Sequence, residues 1–238
     1  MTPDVNTLYD VVEGTWPPAT ISELDDWVIR DGQGGGKRVS SATARQPVTA
    51  DKLAEAETAM QALGQAPLFM IREGDDALDA MLADQGYDIV DPVNLYVTPI
   101  GDLAKPTPRT STFAIWEPLA IQLDIWAAGG IGPGRIDVMR RAQSPKTTIF
   151  GRAENRPAAT AFCAIYDGIA MVHALEVHAE SRRKNMGRYV MQAAATWAAS
   201  HGATHMSVVC TQANTGANVL YASLGMTLVG QYHYRQKA

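Results

Sequence analysis

The chain is poor in three things. It has two cysteines in 238 residues, no surplus of basic charge and no long apolar run. Cys163 and Cys210 sit apart in strand-like apolar stretches, which suits buried thiols and excludes a disulfide framework. His201, His205 and His233 are dispersed, and no Cys/His pair has ligand spacing, so no metal is expected. A formal net charge of −5 argues against general nucleic-acid binding, which needs a basic surface. No apolar run approaches the roughly 18 residues of a membrane span. Met1-Thr2-Pro3-Asp4-Val5 lacks the basic and apolar regions of a secretory signal. The expectation is a soluble, cytoplasmic protein without a membrane partner.

Apolar residues make up 46% of the chain, enough for one large core or two small ones. Pro99 to Pro108 reads as a stiff linker, dividing an N-terminal α/β region, 1–105, from a C-terminal domain, 106–238. In the second part, patterning predicts a strand at Thr112–Trp116 and helices at Pro118–Ala128 and Gly134–Ala142. Strands follow at Thr147–Arg152, Ala158–Tyr166 and Ile169–His178. A helix at Tyr189–Ser200, a strand at Met206–Cys210, a helix after Asn214 and a strand at Thr227–Tyr234 complete it. The first part shows strands at Trp27–Arg30, Lys37–Ser41 and Leu68–Ile71, with helices at Asp51–Leu63 and Ala77–Gln85. Its glycine run Gly32-Gln33-Gly34-Gly35-Gly36 lacks phosphate-loop spacing and reads as a flexible hairpin connection.

The most informative segment is Arg182-Arg183-Lys184-Asn185-Met186-Gly187-Arg188, between a strand and a helix. A helix start presents free backbone N–H groups and a positive dipole end to one point, and four basic side chains surround it here. Gly187 would let a ligand approach the backbone closely. The guest these features suit is a pyrophosphate.

Val177 to Gly187 resembles the acetyl-CoA loop of the GNAT N-acetyltransferases, which reads Arg or Gln, two residues, Gly, one residue, then Gly or Ala. Arg182 and Gly187 match, and Asn185 stands at the first Gly; Asn tolerates a left-handed backbone best among non-glycine residues. Asn214-Thr215-Gly216-Ala217-Asn218-Val219-Leu220-Tyr221-Ala222-Ser223-Leu224-Gly225-Met226 resembles the family's second signature. Two signatures in order, roughly 30 residues apart, are far more specific than either alone. The resemblance implies a mixed α/β (α+β) GNAT fold over the C-terminal half, with acetyl-CoA as cosubstrate and a small-molecule amine or protein N-terminus as acceptor. The mildly acidic balance suits a cationic acceptor without deciding it.

The resemblance further implies roles for particular residues. Tyr221 matches the tyrosine near the CoA sulfur and is the candidate general acid. Val177 N–H matches the oxyanion donor, and Asn214 can hold the pantetheine arm or cap its helix. With Arg182, Arg183, Lys184, Asn185, Met186, Gly187 and Arg188, these complete the cosubstrate site. Two residues compete as general base. His173 matches a histidine in the proton path of the arylalkylamine branch, although Met171 stands where that branch has a second histidine; Glu176 matches glutamates used in other branches. Strand alternation puts His173 and Glu176 on opposite faces unless a bulge intervenes.

The N-terminal half repeats the second faintly. Ala83 to Val90 echoes Ala222 to Val229, each with a helix ending at Gly before a strand. That suggests a degenerate GNAT-like half, catalytically silent but able to wall the acceptor cleft, and either a monomer with an internal pseudo-dimer or a homodimer. Trp27, Arg30, Gly34, Arg38 and Ser41 loosely resemble N-terminal segments of some bacterial acetyltransferases. A non-catalytic acyl-CoA-binding module, or a transferase of longer acyl groups, stays open beside acetyl transfer.

Overall fold

A computed structural model of the chain describes residues 2–237. The first half contains α1 (Val5–Thr15), β1 (Thr20–Glu23), β2 (Trp27–Asp31), α2 (Lys37–Ser40), β3 (Thr43–Ala44), α3 (Ala50–Ala62), β4 (Leu68–Ile71), α4 (Asp76–Asp84) and β5 (Asp88–Pro99). After α5 (Ile100–Leu103) come β6 (Thr112–Ile115), α6 (Ala120–Ala128), α7 (Pro133–Arg141), β7 (Lys146–Ala153), β8 (Arg156–Tyr166) and β9 (Ile169–Val177). The chain closes with α8 (Met186–Ser200), β10 (His205–Thr211), α9 (Thr215–Ser223) and β11 (Thr227–Gln236). Among the described residues no helix is long and apolar enough to cross a membrane.

β1, β2 and β3 form a small sheet, and eight strands form a large mixed one in the order β4-β11-β5-β10-β9-β8-β7-β6. Every neighbouring pair in the large sheet is antiparallel except β9 and β10. Helices α8 and α1 cover opposite faces of its middle, so β8 is buried on both sides from Ala158 to Ile165 and shows no polar alternation. On α8 the buried Val190, Met191, Ala194, Ala195 and Ala198 recur at helical spacing, and small side chains let the helix lie close to the sheet.

Helix α1 was not expected from the sequence. Asp4 caps it by accepting from Thr7 N–H at 2.8 Å, and Val5, Leu8, Val11 and Val12 turn inward. Each such aliphatic side chain contributes about 1.5–3 kcal/mol by leaving water. A second departure is at Lys37–Ser41, read as a strand, where the chain forms the short helix α2. The glycine run before it does not stand free. A Cβ on Gly35 would lie 2.5 Å from Val138 Cγ2, and one on Gly134 would lie 2.5 Å from Gly34 O, so the run is seated against α7. The Pro99–Pro108 linker also contains an ordered turn of helix, α5, with Leu103 buried.

The two halves follow the same course. In each, three antiparallel strands are followed by a helix, a strand parallel to the third, a second helix and a last strand. Parallel pairing in the first half is brief: Ala42 N–H donates to Leu68 O at 2.8 Å, and Met70 N–H to Ala42 O at 2.9 Å. Both second helices end identically. Gly86 (φ +79°) and Gly225 (φ +77°) take the left-handed position, while Tyr87 N–H bonds Leu82 O and Met226 N–H bonds Tyr221 O. The last strands are exchanged. β5 pairs with β10 of the other half, β11 pairs with β4, and β5 and β11 pair with each other at the centre. A charge cluster fastens the exchange. Arg235 on β11 grips Asp79 on α4 with two bonds, Nε at 2.7 Å and Nη2 at 3.0 Å, and His233 adds a third at 2.8 Å.

A fragment of residues 106–238 would therefore lack the strand between β10 and β11. It is expected to give no cooperative unfolding transition in urea. A sharp transition from that fragment would show that the halves fold independently.

Candidate functional site

The site begins where hydrogen bonding stops. β9 and β10 pair only from Ile169 to Val172 and from His205 to Val208, then diverge. The cause lies in β9. Ala174 has φ +51°, and His173 faces Phe162 while Glu176 faces Thr160, so two residues of β9 oppose one of β8. That is a β-bulge, which bends the strand away from its neighbour. It also restores His173 and Glu176 to a common face, because Phe162 and Thr160 are two apart on β8. His178 N–H donates to Ala158 O at 2.8 Å, and alternation along the strand turns the Val177 N–H the other way, into the gap. The resulting cleft, about 850 Å³, runs between β9 and β10 from the basic loop to Tyr221.

At one end, Asn185 adopts the left-handed conformation (φ +61°, ψ +11°) and caps α8. Tyr189 N–H to Asn185 O, 3.0 Å, closes the first turn, which leaves the N–H groups of Met186, Gly187 and Arg188 directed past the helix start. The four basic side chains are less concentrated than their sequence spacing suggests. Lys184 reaches Glu154 at 3.0 Å, Arg188 donates to Ser223 O and Oγ at 3.2 Å, and Arg182 bonds Val177 O at 3.2 Å and Glu176 at 3.4 Å. Such exposed pairs are worth at most about 1 kcal/mol and exchange readily for a stronger anion. Gly187 serves packing as well: a Cβ there would lie 2.9 Å from Leu220 Cδ2, so the glycine brings α8 against α9.

At the other end, Tyr221 is buried against Tyr96, ring centroids 5.8 Å apart, and its hydroxyl has no hydrogen-bond partner among the described residues. Burial holds its pKa well above the usual phenol value, so it remains a donor. Asn218, absent from the sequence-based site, orients this helix. Its Oδ1 accepts from Asn94 and Tyr96 at 2.9 Å and from Cys210 at 3.3 Å, and its Nδ2 donates to Asn214 O at 2.8 Å and Thr211 O at 3.0 Å. Tyr221 lies one turn further along the same helix. Asn214 caps α9, its Oδ1 accepting from Ala217 N–H at 3.1 Å. Both cysteines are free; Cys163 is buried, but Cys210 is half-exposed in the cleft and its thiol is pushed up to about 11 by burial.

His173 is buried and fully engaged. Arg38 Nη1 lies 3.0 Å from Nδ1, and a guanidinium can only donate, so Nδ1 carries the lone pair. Nε2–H then donates to Thr15 Oγ1 at 2.8 Å, and that hydroxyl donates to Val11 O. Trp16 packs on the ring at 4.9 Å. The half expected to be silent thus supplies Thr15, Trp16 and Arg38 to this corner. Of the loosely patterned N-terminal residues only Arg38 reaches it: Trp27 is in the core, and Arg30 is paired with Glu13. Trp116, Trp126 and Tyr166 do not line the cavity beside His173, whose aromatic residues are Trp16, Tyr232 and Tyr234. Glu176, by contrast, is half-exposed in the main cleft, packed on Gly129. Nothing in periodicity or spacing marked Thr15 or Trp16 for this role, since they come from a helix about 160 residues away in sequence.

Residues 115–226 match the acetyltransferase (GNAT) family. An uncharacterized N-acetyltransferase of Bacillus subtilis (strain 168), YobR, is 26% identical over 244 residues, covering 98% of this chain and 99% of that protein. Among solved structures, a GCN5-related N-acetyltransferase from Kribbella flavida superposes with a TM-score of 0.72 at 20% identity, over 97% of this chain and 94% of that one. A tandem GNAT protein from the clavulanic acid biosynthesis pathway superposes with a TM-score of 0.60 at 13% identity, over 96% of this chain and 86% of that one. Both structural likenesses concern the fold alone, and the second agrees with the doubled course of the chain. Residues 115–226 thus match the GNAT acetyltransferase family, and the chain as a whole has the fold of GNAT proteins, its N-terminal half sharing the sheet.

Proposed function

We propose that the chain transfers an acetyl group from acetyl-CoA to a primary amine by direct attack in a ternary complex. The observation that carries this reading is the alignment, along one cleft, of three elements. These are the helix start at Asn185–Arg188, the inward-turned N–H of Val177 and the unpartnered hydroxyl of Tyr221.

The N–H groups of Met186, Gly187 and Arg188, with Arg182 and Arg183 beside them, receive the pyrophosphate, while Lys184 is turned out of this lining toward Glu154. Asn214 uses its carbonyl oxygen as a cap, which leaves its amide N–H groups for the pantetheine arm. Val177 N–H donates to the thioester carbonyl, and the bond strengthens as the oxygen gains charge in the tetrahedral state. The amine nitrogen forms its bond to the carbonyl carbon, the C–S bond breaks, and Tyr221 donates its proton to the departing thiolate. Cys210 remains a thiol near neutral pH, so the cleft offers no ready thiolate for a covalent acetyl-enzyme. Of the two candidate bases, the geometry favours Glu176. Its carboxylate is open to the cleft, whereas the single lone pair of His173 is taken by Arg38. His173 is then a positioning residue that fixes Arg38.

Calorimetry is expected to show micromolar binding of CoA and acetyl-CoA; no binding at that level overturns the reading. Tyr221→Phe is expected to lower kcat about 10–100-fold with acetyl-CoA affinity within about threefold; a larger loss of affinity than of turnover would make Tyr221 a packing residue. Glu176→Gln is expected to lower kcat about 100-fold and to flatten the acid limb of the pH–rate profile. An unchanged limb would return the base to His173.

Burial first, and the Arg38 charge second, hold the His173 pKa well below its ordinary value. The unfolded chain takes up that proton near pH 6.5 while the folded chain does not. Stability contributed by the neutral ring is therefore present above about pH 6.5 and lost as pH falls, with a limiting slope of about 1.4 kcal/mol per pH unit. His173→Gln keeps an acceptor for Arg38 and a donor for Thr15 but does not titrate. The stability gap between the wild type and this variant, from urea unfolding, is expected to narrow from pH 7 to pH 5; a constant gap would contradict the buried neutral imidazole.

A further inference from the structure

Beside the main cleft lies a second cavity of about 230 Å³, between the glycine run and α2 on one side and β9, β11 and the start of α7 on the other. Both spaces are lined by Arg38, Ile131, Arg135, Ala174, Cys210 and Thr211, so a molecule in the second reaches the end of the first where β9 and β10 part. Resting on the acetyl-transfer reading above, we propose that this cavity holds the acceptor, and that the acceptor carries an oxyanion, a carboxylate or a phosphate, bound by Arg38 and Arg135.

The charge balance of the cavity carries the inference. Its cations are Lys37, Arg38 and Arg135, and its one carboxylate is Asp91. Lys37 and Asp91 satisfy each other at 2.7 Å on the exposed rim. Neither Arg38 nor Arg135 has a carboxylate within ion-pair distance among the described residues. The groups beside Arg38 are neutral: the His173 lone pair at 3.0 Å, the Trp16 ring at 5.8 Å and the Tyr232 and Tyr234 hydroxyls. Its Nε is buried without a hydrogen-bond partner, and so is the Tyr232 hydroxyl in the same lining. A guanidinium cannot shed its charge, and a charge enclosed without a counter-ion is costly. An oxyanion supplies that counter-ion and accepts from both donors. A polycationic acceptor would meet two arginines and find no carboxylate except one already paired.

The arginines are brought to one wall, at the junction of the two spaces, by a close contact between the halves. Arg38 is the second residue of α2, which follows the glycine run directly, and Arg135 stands in the first turn of α7, against which that run is seated. A Cβ on Gly36 (φ +94°) would come within 3.4 Å of Arg135 Nε, so this glycine brings the two cationic groups to one wall. The oxyanion end is thereby fixed by residues of both halves, and the amine end is left to face the thioester.

The test uses the full chain with saturating acetyl-CoA, release of free thiol as the signal, and matched pairs of acceptors. The pairs are α-amino acids against their carboxamides, and aminoalkyl phosphates against the corresponding amino alcohols. Acids are expected to exceed their neutral partners at least tenfold in kcat/KM, and the better of the two series identifies the oxyanion. Arg135→Ala, at the exposed mouth, is expected to raise KM for the acid about 10–100-fold and to reduce the acid-over-neutral ratio to within about threefold, with partial recovery in Arg135→Lys. Arg38→Gln should move the same ratio in the same direction. Equal or better turnover of the neutral partners overturns the proposal, as does acetyl-CoA binding without turnover of any acid, or an unmoved ratio in both variants. Failure of acetyl-CoA to bind overturns the acetyl-transfer reading together with it, whereas binding without preference for acids overturns this inference alone.

Discussion

The rest of the site depends on a pair of parallel strands that stop bonding to each other. β9 and β10 share four register positions and then part, which leaves backbone donors and acceptors facing a gap. Buried peptide groups are almost always paired, so an interior gap of this kind persists only where water or a ligand completes it. The bulge at Ala174–Leu175 opens the gap from one side. From the other, β10 stays in place because its far edge is bonded to β5 from His205 to Thr211. The wedge is thus stabilised by strands outside it, and its own inner edges remain free.

The two halves contribute in different currencies. The C-terminal half supplies the loop, the inward N–H and the phenol, all aligned along the wedge. The N-terminal half has no equivalent loop: between β3 and α3 it carries Arg45-Gln46-Pro47-Val48-Thr49, with no glycine and with its one arginine paired to Glu23 at 2.7 Å. Instead it closes one end of the site with Thr15, Trp16 and Arg38, which converge on one histidine. The N-terminal half thus serves as a wall of the cleft in the C-terminal half.

Much of this was legible in the sequence, for identifiable reasons. The C-terminal elements are long, apolar in pattern and bounded by turn residues, so their order and most of their limits follow from periodicity. Asn185 was legible because few residue types accept a left-handed backbone, and Gly86 and Gly225 were legible because a helix that ends in that conformation favours glycine. The signals for helix α1 are Asp4 and the Val5, Leu8, Val12 spacing, a short period on a segment of eleven residues. Lys37–Ser40 holds one buried residue, too few for any period to show. The bulge in β9 and the exchange of β5 with β11 depend on which backbones meet, and that is set by packing between segments about 130 residues apart. The convergence of Arg38 and Thr15 on His173 is of the same kind.

The exchanged strand also sets an order of events during synthesis. β5 is complete at Pro99, yet its two neighbours in the sheet, β10 and β11, begin at His205 and Thr227. While the intervening hundred or so residues are being made, the N-terminal half carries a strand with both edges unsatisfied, a template for pairing with other chains. Its central pairings are among the most distant in the sequence, so loop closure falls late and folding should be slow for a protein of this size. The charged and polar residues along the first part of that strand, Asp88, Asp91 and Asn94, then act as gatekeepers: they keep the nascent edge soluble until its partners arrive.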